Sequence, residues 1–247
     1  MLAIALALAP AGAPAWAQGA RLRVLVEDAA EPFSNPDGSG YANEVVEAAF
    51  AAAGVTAELV VVPYARCKAL VLAGAEPACF SMSWEPEFQG VVRFAQQPLF
   101  SVTPVYFQNR RRPLKARSEG QLGPGVSIGV VNGYEYPDST LKARERGVRF
   151  EMARSELVNL KKLALGRIDA ALVMESALRG TQQLVQEAGA AHDVSAAFAS
   201  TRLDSHIGFS LKHPRGEAAL ADFNRGYALI AADGTLRRIA AKWAAAR

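Results

Sequence analysis

The chain has 247 residues, which is enough for one large domain or two modest ones, each able to bury a core. Its 51% hydrophobic and 21% charged residues are typical of a folded protein and argue against a disordered one. The formal net charge of only +3 argues against a nucleic-acid-binding protein, because such proteins usually carry a basic face or stripe.

Residues 1–17 have the pattern of a secretory signal peptide. An apolar run from Leu2 to Ala9 precedes Ala15-Trp16-Ala17, which places small residues at the −3 and −1 positions of a cleavage site before Gln18. No Lys or Arg precedes the run, so the true start codon stays open. We expect a mature chain exported to the periplasm, and no later stretch has the length of a transmembrane helix.

Strand and helix patterns alternate from residue 22 onward. Strands are predicted at 22–26, 58–62 and 78–82, and helices at 41–53 and 64–73, ended by Gly54 and Gly74. Such alternation predicts an α/β fold with a mostly parallel sheet flanked by helices and right-handed crossovers. An extended stretch at 101–108 completes this first unit.

A second unit repeats the alternation after the basic run at 110–112, which is either a solvated linker or an electropositive cleft rim. Its predicted strands are 126–131, 148–150 and 169–174. Its predicted helices are 138–146, a helix capped by Ser155 and ended by Gly166, and 176–188. A strand at 206–211 and two final helices lack a sheet of their own. We therefore predict lobe 1 from 18–108 and 201–247 and lobe 2 from 109–200, joined by a two-strand hinge.

The two cysteines, Cys67 and Cys79, form no CxxC motif, and three histidines are too few and scattered for a metal site. We expect no metal and no cofactor. In an oxidising compartment the two cysteines can pair, and we favour a disulfide over two buried free thiols.

Six segments together resemble the bacterial extracellular solute-binding proteins of family 3, the amino-acid-type receptors of ABC transporters. They are residues 31–41 (beginning EPFS), 81–87 (SMSWEPE), 93–100 (RFAQQPLF), 126–133 (VSIGVVNG), 166–170 (GRIDA) and 233–243 (DGTLRRIAAKW). The resemblance implies a two-lobed type II periplasmic-binding-protein fold that closes on a small polar ligand.

The resemblance also implies ligand-binding positions. Ser81 and Ser83 match first-lobe contacts, Glu27 stands where many members have a cleft-facing Asp, and Tyr64 matches an aromatic wall. The second-lobe turn contributes Asn132, Gly133 and Tyr134. Two family charges are missing, because Phe88 replaces the Arg that grips an α-carboxylate, and Met174, followed by Glu175, replaces the Asp that holds the α-ammonium group. An ordinary amino-acid clamp is therefore not intact, and the solute stays unidentified.

Two hypotheses address the missing charges. Arg66 could supply a replacement cation for a carboxylate or phosphonate, unless it is only an exposed surface residue. Alternatively, the ligand could be cationic or aromatic and could bind a set of aromatic and acidic side chains: Tyr64, Trp84, Phe88 and Tyr134 with Glu27 and Glu175. The same side chains could equally serve only in core and lobe packing.

The predicted function is a non-enzymatic, monomeric solute receptor whose partners are a small polar ligand and an ABC transporter permease. One alternative is a periplasmic enzyme of the cyclohexadienyl-dehydratase type, for which Glu27, Glu135 or Glu175 could act as acid or base. Another is a free ligand sensor for a signalling receptor.

Overall fold

The computed structural model describes residues 21–245, which form ten strands and seven α-helices. The strands are β1 (Leu22–Glu27), β2 (Ala57–Val62), β3 (Ala78–Met82), β4 (Val92–Phe94), β5 (Phe100–Asn109), β6 (Ser127–Val131), β7 (Arg149–Ala153), β8 (Ala170–Glu175), β9 (Val194–Ala199) and β10 (Leu203–Ser210). The helices are α1 (Tyr41–Ala52), α2 (Tyr64–Ala73), α3 (Asp138–Glu145), α4 (Glu156–Ala164), α5 (Thr181–Glu187), α6 (Gly216–Ala232) and α7 (Thr235–Ala245). Within these residues, none of the helices has both the length and the apolar character needed to cross a membrane.

The strands follow one path in the order β2-β1-β3-β10-β5-β8-β6-β7, with β4 beside β10 and β9 beside β5. We call β1 to β4 with β10 the first sheet half, and β5 to β9 the second sheet half. Each half has a parallel centre, β1 with β2 and β3, and β6 with β7 and β8. The remaining pairings are antiparallel. The predicted α/β class is confirmed, with antiparallel strands added to a parallel centre.

Helices α1, α6 and α7 cover the first sheet half. The rings of Phe50 and Phe223 lie 5.5 Å apart between α1 and α6, and both side chains are fully buried. Gly226 allows this close approach, because a Cβ atom there would lie 1.7 Å from the carbonyl oxygen of Ala49. The last helix is also attached to α1, since the indole N–H of Trp243 donates to the Glu44 carboxylate at 2.7 Å.

The second sheet half has a core on each face. Leu160 and Leu163 of α4 pack against Val105 and Val173 on one face. The other face holds a separate cluster that includes Tyr106, Ile128, Val130 and Leu172. Helix α4 begins as predicted, because the Ser155 hydroxyl accepts a hydrogen bond from the backbone N–H of Val158 at 3.4 Å.

The two halves are joined by a short antiparallel pairing of β5 and β10. Only Val102 with Leu203, Ser101 with Asp204 and Phe100 with Ser205 are paired there. The chain passes between the halves through both of these strands. The junction therefore consists of two extended segments, next to which the candidate site is found.

Four elements differ clearly from the sequence prediction. Strands β4 and β9 were not predicted, because they are short segments that become strands through pairing with β10 and β5. Helix α5 begins at Thr181 rather than residue 176, because Ser176 and Arg179 form a small antiparallel turn. Strand β10 begins at Leu203 rather than residue 206, since β5 pairs with its first residues.

The disulfide predicted between Cys67 and Cys79 is present, with Cα atoms 5.7 Å apart. Both residues are fully buried. The bond joins α2 to β3, so it holds the helix that carries Tyr64 and Lys68 against the strand that leads to Ser83.

Candidate functional site

A cavity lies where the two sheet halves meet. Its volume is about 450 Å³, counting the open solvent at its mouth. Side chains from both halves line it: Glu27, Ala30, Phe33, Ser81, Ser83, Phe100, Val102, Tyr134, Glu135, Met174, Arg179, Leu203 and Ser205. A pocket with apolar walls and a few converging polar groups is the usual form of a small-molecule site.

Glu27 ends β1 and points into this cavity. The residue is 2% exposed, and the hydroxyl of Tyr134 donates a 2.5 Å hydrogen bond to its Oε1. Burial raises the pKa of the Glu27 carboxyl group to about 7, opposed by the hydrogen bond from Tyr134 and by the nearby Ser81 hydroxyl. Among residues 21–245, no Lys or Arg forms an ion pair with Glu27; Arg179 attracts it only from a distance.

The serine side chains of the cavity come from β3 and β10. Ser81 adopts a left-handed backbone conformation, with φ 74°, which is strained for a residue with a side chain. Its hydroxyl lies near Glu27 and favours the ionised carboxylate, but it has no hydrogen-bond partner of normal geometry among the described residues. Ser205 is also buried, and its hydroxyl has no hydrogen-bond partner among the described residues. The cavity therefore offers a polar atom that its own walls leave unused.

Glu135 reaches from the second sheet half into a polar socket of the first. The socket consists of the Tyr64 hydroxyl, the Ser83 backbone N–H and the Lys68 ammonium group. Tyr64 donates to the carboxylate at 2.6 Å, Ser83 donates at 3.3 Å, and Lys68 Nζ lies 3.2 Å from Oε1. Burial raises the pKa of Glu135 to about 7, opposed by Lys68 and Tyr64. The two halves are thus connected by a buried charged contact.

Lys68 forms ion pairs with three carboxylates at once. Besides Glu135, its Nζ lies 2.8 Å from Glu85 and 2.7 Å from Glu87. It also stands over the ring of Phe88 at 5.0 Å. Burial lowers the pKa of Lys68, but the attraction of Glu135 and Glu85 outweighs it and the net shift is upward. Lys68 therefore stays charged and is fully engaged by its own chain.

Arg179 is the arginine that lines the cavity. Its Nη2 lies 2.7 Å from Glu156 Oε2, and both side chains are largely buried. The other oxygen of Glu156 accepts the backbone N–H of Met174 at 2.6 Å. Burial lowers the pKa of Arg179, but Glu156, Tyr134 and Glu27 outweigh this effect and the net shift is upward. The turn after β8 thus holds the guanidinium as part of an internal ion pair.

Phe33 and Phe100 form an apolar wall. Their rings are stacked, with centroids 3.7 Å apart and an angle of 10° between planes. Beyond them lies a larger cleft of about 1140 Å³, open solvent included, to which Tyr41, Glu175 and Arg202 contribute. The aromatic pair separates this cleft from the cavity.

The cavity brings together five of the predicted ligand-binding residues: Glu27, Ser81, Ser83, Tyr134 and Met174. Tyr64 reaches the site through Glu135. The other predicted residues do not line the cavity. Phe88 is buried in the core of the first half, Trp84 is 61% exposed, and Arg66 and Asn132 lie on the surface.

Gly133 and Glu175 lie close to the cavity without lining it. Gly133 packs against α2, where a Cβ atom would lie 2.9 Å from the Cα atom of Ala65. Glu175 faces the neighbouring cleft. The second-half turn therefore contacts the first half directly, and its close approach brings Glu135 into the socket.

Sequence reasoning missed Arg179, Phe33 and Phe100 as cavity residues and considered Glu135 only as an acid or base. Phe33 stood within a segment singled out for its pattern, EPFS, which was a usable signal. Arg179 carried none, because the turn that presents it had been predicted as a helix.

The two sheet halves, joined by β5 and β10 beside a shared cavity, form the type II periplasmic-binding-protein fold. The chain is similar to the solved structure of a histidine kinase sensor domain with similarity to periplasmic binding proteins, at 19% identity and a TM-score of 0.74, over 90% of this chain and 95% of that one. It is also similar to the structure of an ancestral arginine-binding protein bound to arginine, at 21% identity and a TM-score of 0.72, over 90% of this chain and 97% of that one. It is also similar to an ancestral amino acid-binding protein that is a precursor of cyclohexadienyl dehydratase (19%, 0.67, 90% and 94%). No curated protein matches the chain. The chain belongs to the bacterial extracellular solute-binding proteins, family 3, whose sequence profile matches residues 22–246.

Proposed function

We propose that this chain is a periplasmic receptor that captures a small polar solute and delivers it to the permease of an ABC transporter. After removal of residues 1–17, one lobe consists of the first sheet half with its helices and the other of the second sheet half. Residues 103–108 of β5 pair with β8 and β9, so we assign them to the second lobe rather than to the first lobe expected at 18–108 and 201–247. One observation carries the proposal: Glu27 and the serines come from one sheet half, and Tyr134 and Arg179 from the other. A solute that contacts both sets binds the closed form more tightly and shifts the population toward it.

Binding is tested on the mature chain, residues 18–247, by thermal shift against amino acids, polyamines, organic acids and quaternary amines. A true ligand at a thousand times its dissociation constant adds about 4 kcal/mol of stability. X-ray scattering with the same ligand should show a smaller radius of gyration. Tyr134→Ala, in the cavity, should weaken binding, whereas Met152→Ala, on the exposed surface of the same half, should not. The absence of any stabilising solute would contradict the proposal.

Delivery is tested separately with the transporter reconstituted in proteoliposomes. The liganded receptor should stimulate ATP hydrolysis by the transporter, and the ligand-free receptor should stimulate it less. Activation of a histidine kinase instead would identify a sensor, a role suggested by the sensor domain that shares the fold.

A second candidate function is that of an enzyme on the same fold. The observation that favours it is that two cavity carboxyl groups, Glu27 and Glu135, have a pKa of about 7, a value suited to proton transfer near neutrality. A solute recovered chemically unchanged after prolonged incubation, as judged by mass spectrometry, would support the receptor. Conversion that is lost in Glu27→Gln would support the enzyme.

A further inference from the structure

We propose that the solute bound in this cavity is an organic cation without a carboxylate group, an amine or guanidine whose N–H groups face Glu27. The inference rests on the proposed receptor function and specifies the chemical class of its ligand. It is drawn from which charges of the cavity are already paired within the chain and which are not.

The cations near the cavity are already paired. Arg179 is bound to Glu156 at 2.7 Å, and Lys68 is shared among Glu85, Glu87 and Glu135. A ligand anion would have to compete with these internal carboxylates for either cation. It would also lie near Glu27 and Glu135, whose charges repel it.

The socket of Tyr64, Ser83 and Lys68 is a carboxylate-binding arrangement, with an O–H, an N–H and an ammonium group converging on one point. Its occupant is Glu135 of the second sheet half. A ligand carboxylate would therefore find the socket filled when the halves are closed. This argues that the ligand does not need such a group.

Among residues 21–245, Glu27 is the cavity charge without an ion-pair partner. It is buried, it faces the cavity, and the hydrogen bond to its carboxylate comes from the neutral Tyr134 hydroxyl. A buried carboxylate is stabilised most by a cation within hydrogen-bond distance. The unpartnered Ser205 hydroxyl lines the same cavity and can accept a second N–H.

The apolar walls suit the rest of such a ligand. The stacked pair of Phe33 and Phe100, with Val102, Met174 and Leu203, gives the cavity a largely hydrophobic surface beside its polar groups. An alkyl or aromatic body would cover this surface, whereas a second charged group would be desolvated there without a partner.

Agmatine and arginine test the inference, because they differ only in the carboxylate. Calorimetric titration of the mature chain should show agmatine binding at least about tenfold more tightly than arginine, a difference of about 1.4 kcal/mol. Glu27→Gln should weaken agmatine binding by about tenfold or more, and the control Glu47→Gln, on the exposed face of α1, should leave it unchanged.

A second variant addresses the socket. Glu135→Ala frees Lys68 and the Ser83 N–H, so the preference for agmatine over arginine should shrink severalfold, while circular dichroism verifies that the variant is folded. Arginine binding to the wild-type chain as tightly as agmatine, or binding of neither compound, would overturn the inference. In either case, a neutral or anionic solute found in the wider panel would leave the receptor function standing.

Discussion

Two buried carboxyl groups line the cavity, and their surroundings differ. Glu135 has an ammonium group, a phenol and a backbone N–H around it, whereas the neighbours that act on Glu27 by hydrogen bonding within residues 21–245 are hydroxyl groups. Both have a pKa raised by burial to about 7. The difference shows how one fold uses the same side chain in two ways. Glu135 is satisfied by its own chain and connects the halves, while Glu27 is left for a ligand.

The largest effect is expected from removing the cation of the socket. Lys68→Met would leave Glu85, Glu87 and Glu135 without their shared partner, and we expect a loss of about 4 kcal/mol in the free energy of unfolding at neutral pH. Urea denaturation of the mature chain measures it.

The control for Lys68→Met is Arg93→Met, which breaks an exposed ion pair with Glu217 and should cost no more than about 1 kcal/mol. If both variants lose equally little, the Glu135 carboxyl group is held without a cation, and its contrast with Glu27 disappears.

The disulfide should matter next, because it fixes the helix that carries two of the socket groups. Replacing both Cys67 and Cys79 by Ser should cost about 3 kcal/mol, since the unfolded chain gains freedom. Hydrogen exchange should then accelerate in α2 more than in β1, which carries Glu27. Adding a reductant should destabilise the wild-type chain similarly and have no effect on the double variant. Equal acceleration in both elements would show that the bond does not act on the socket in particular.

These contrasts also show what could be predicted from the sequence. The α/β alternation, the disulfide and the helix cap at Ser155 depend on local patterns and on the compartment, and they were predicted correctly. Glu27 and Ser81 were assigned to the site because they match positions in the family pattern, and both line the cavity.

The partners of these residues could not be predicted, because they depend on how the halves meet. The socket joins residues 64, 68, 83 and 135, which are brought together only by tertiary packing. Phe88 was assigned to the site by its position in a family pattern, yet it is enclosed by Phe94 and Lys68 in the core. Arg179 depends on a turn that helix periodicity obscured.

The pH dependence of stability tests the environment of Glu27. Its folded-state pKa, about 7, lies above its ordinary value, so the native state holds the proton more tightly than the unfolded state. The stabilisation is therefore present at low pH and is lost as pH rises toward 7. The groups facing Glu27 are the hydroxyls of Tyr134 and Ser81, which favour ionisation, Arg179, which attracts the charge, and Glu156, which repels it.

Glu27→Gln removes this titration. Relative to the wild-type chain, the unfolding free energy of the variant should rise by about 1 kcal/mol per pH unit between about pH 5 and 7, and level off above about pH 8. Denaturant unfolding of both chains at several pH values measures the difference. A flat difference would mean that a cation compensates Glu27 in the closed chain without any ligand.

The smallest effect comes from the two phenols, each of which donates to one of the two carboxylates. Tyr64→Phe and Tyr134→Phe delete only a hydroxyl, and each should cost about 1 kcal/mol in unfolding free energy. The loss should be larger for Tyr134→Phe at about pH 8, because Glu27 would lose the hydrogen bond to its carboxylate found among the described residues, whereas Glu135 keeps Lys68 and the Ser83 N–H. Adding agmatine should remove this excess, since a bound cation replaces what the phenol supplied. If the larger loss in Tyr134→Phe persists when the chain is saturated with agmatine, the charge of the ligand does not lie beside Glu27.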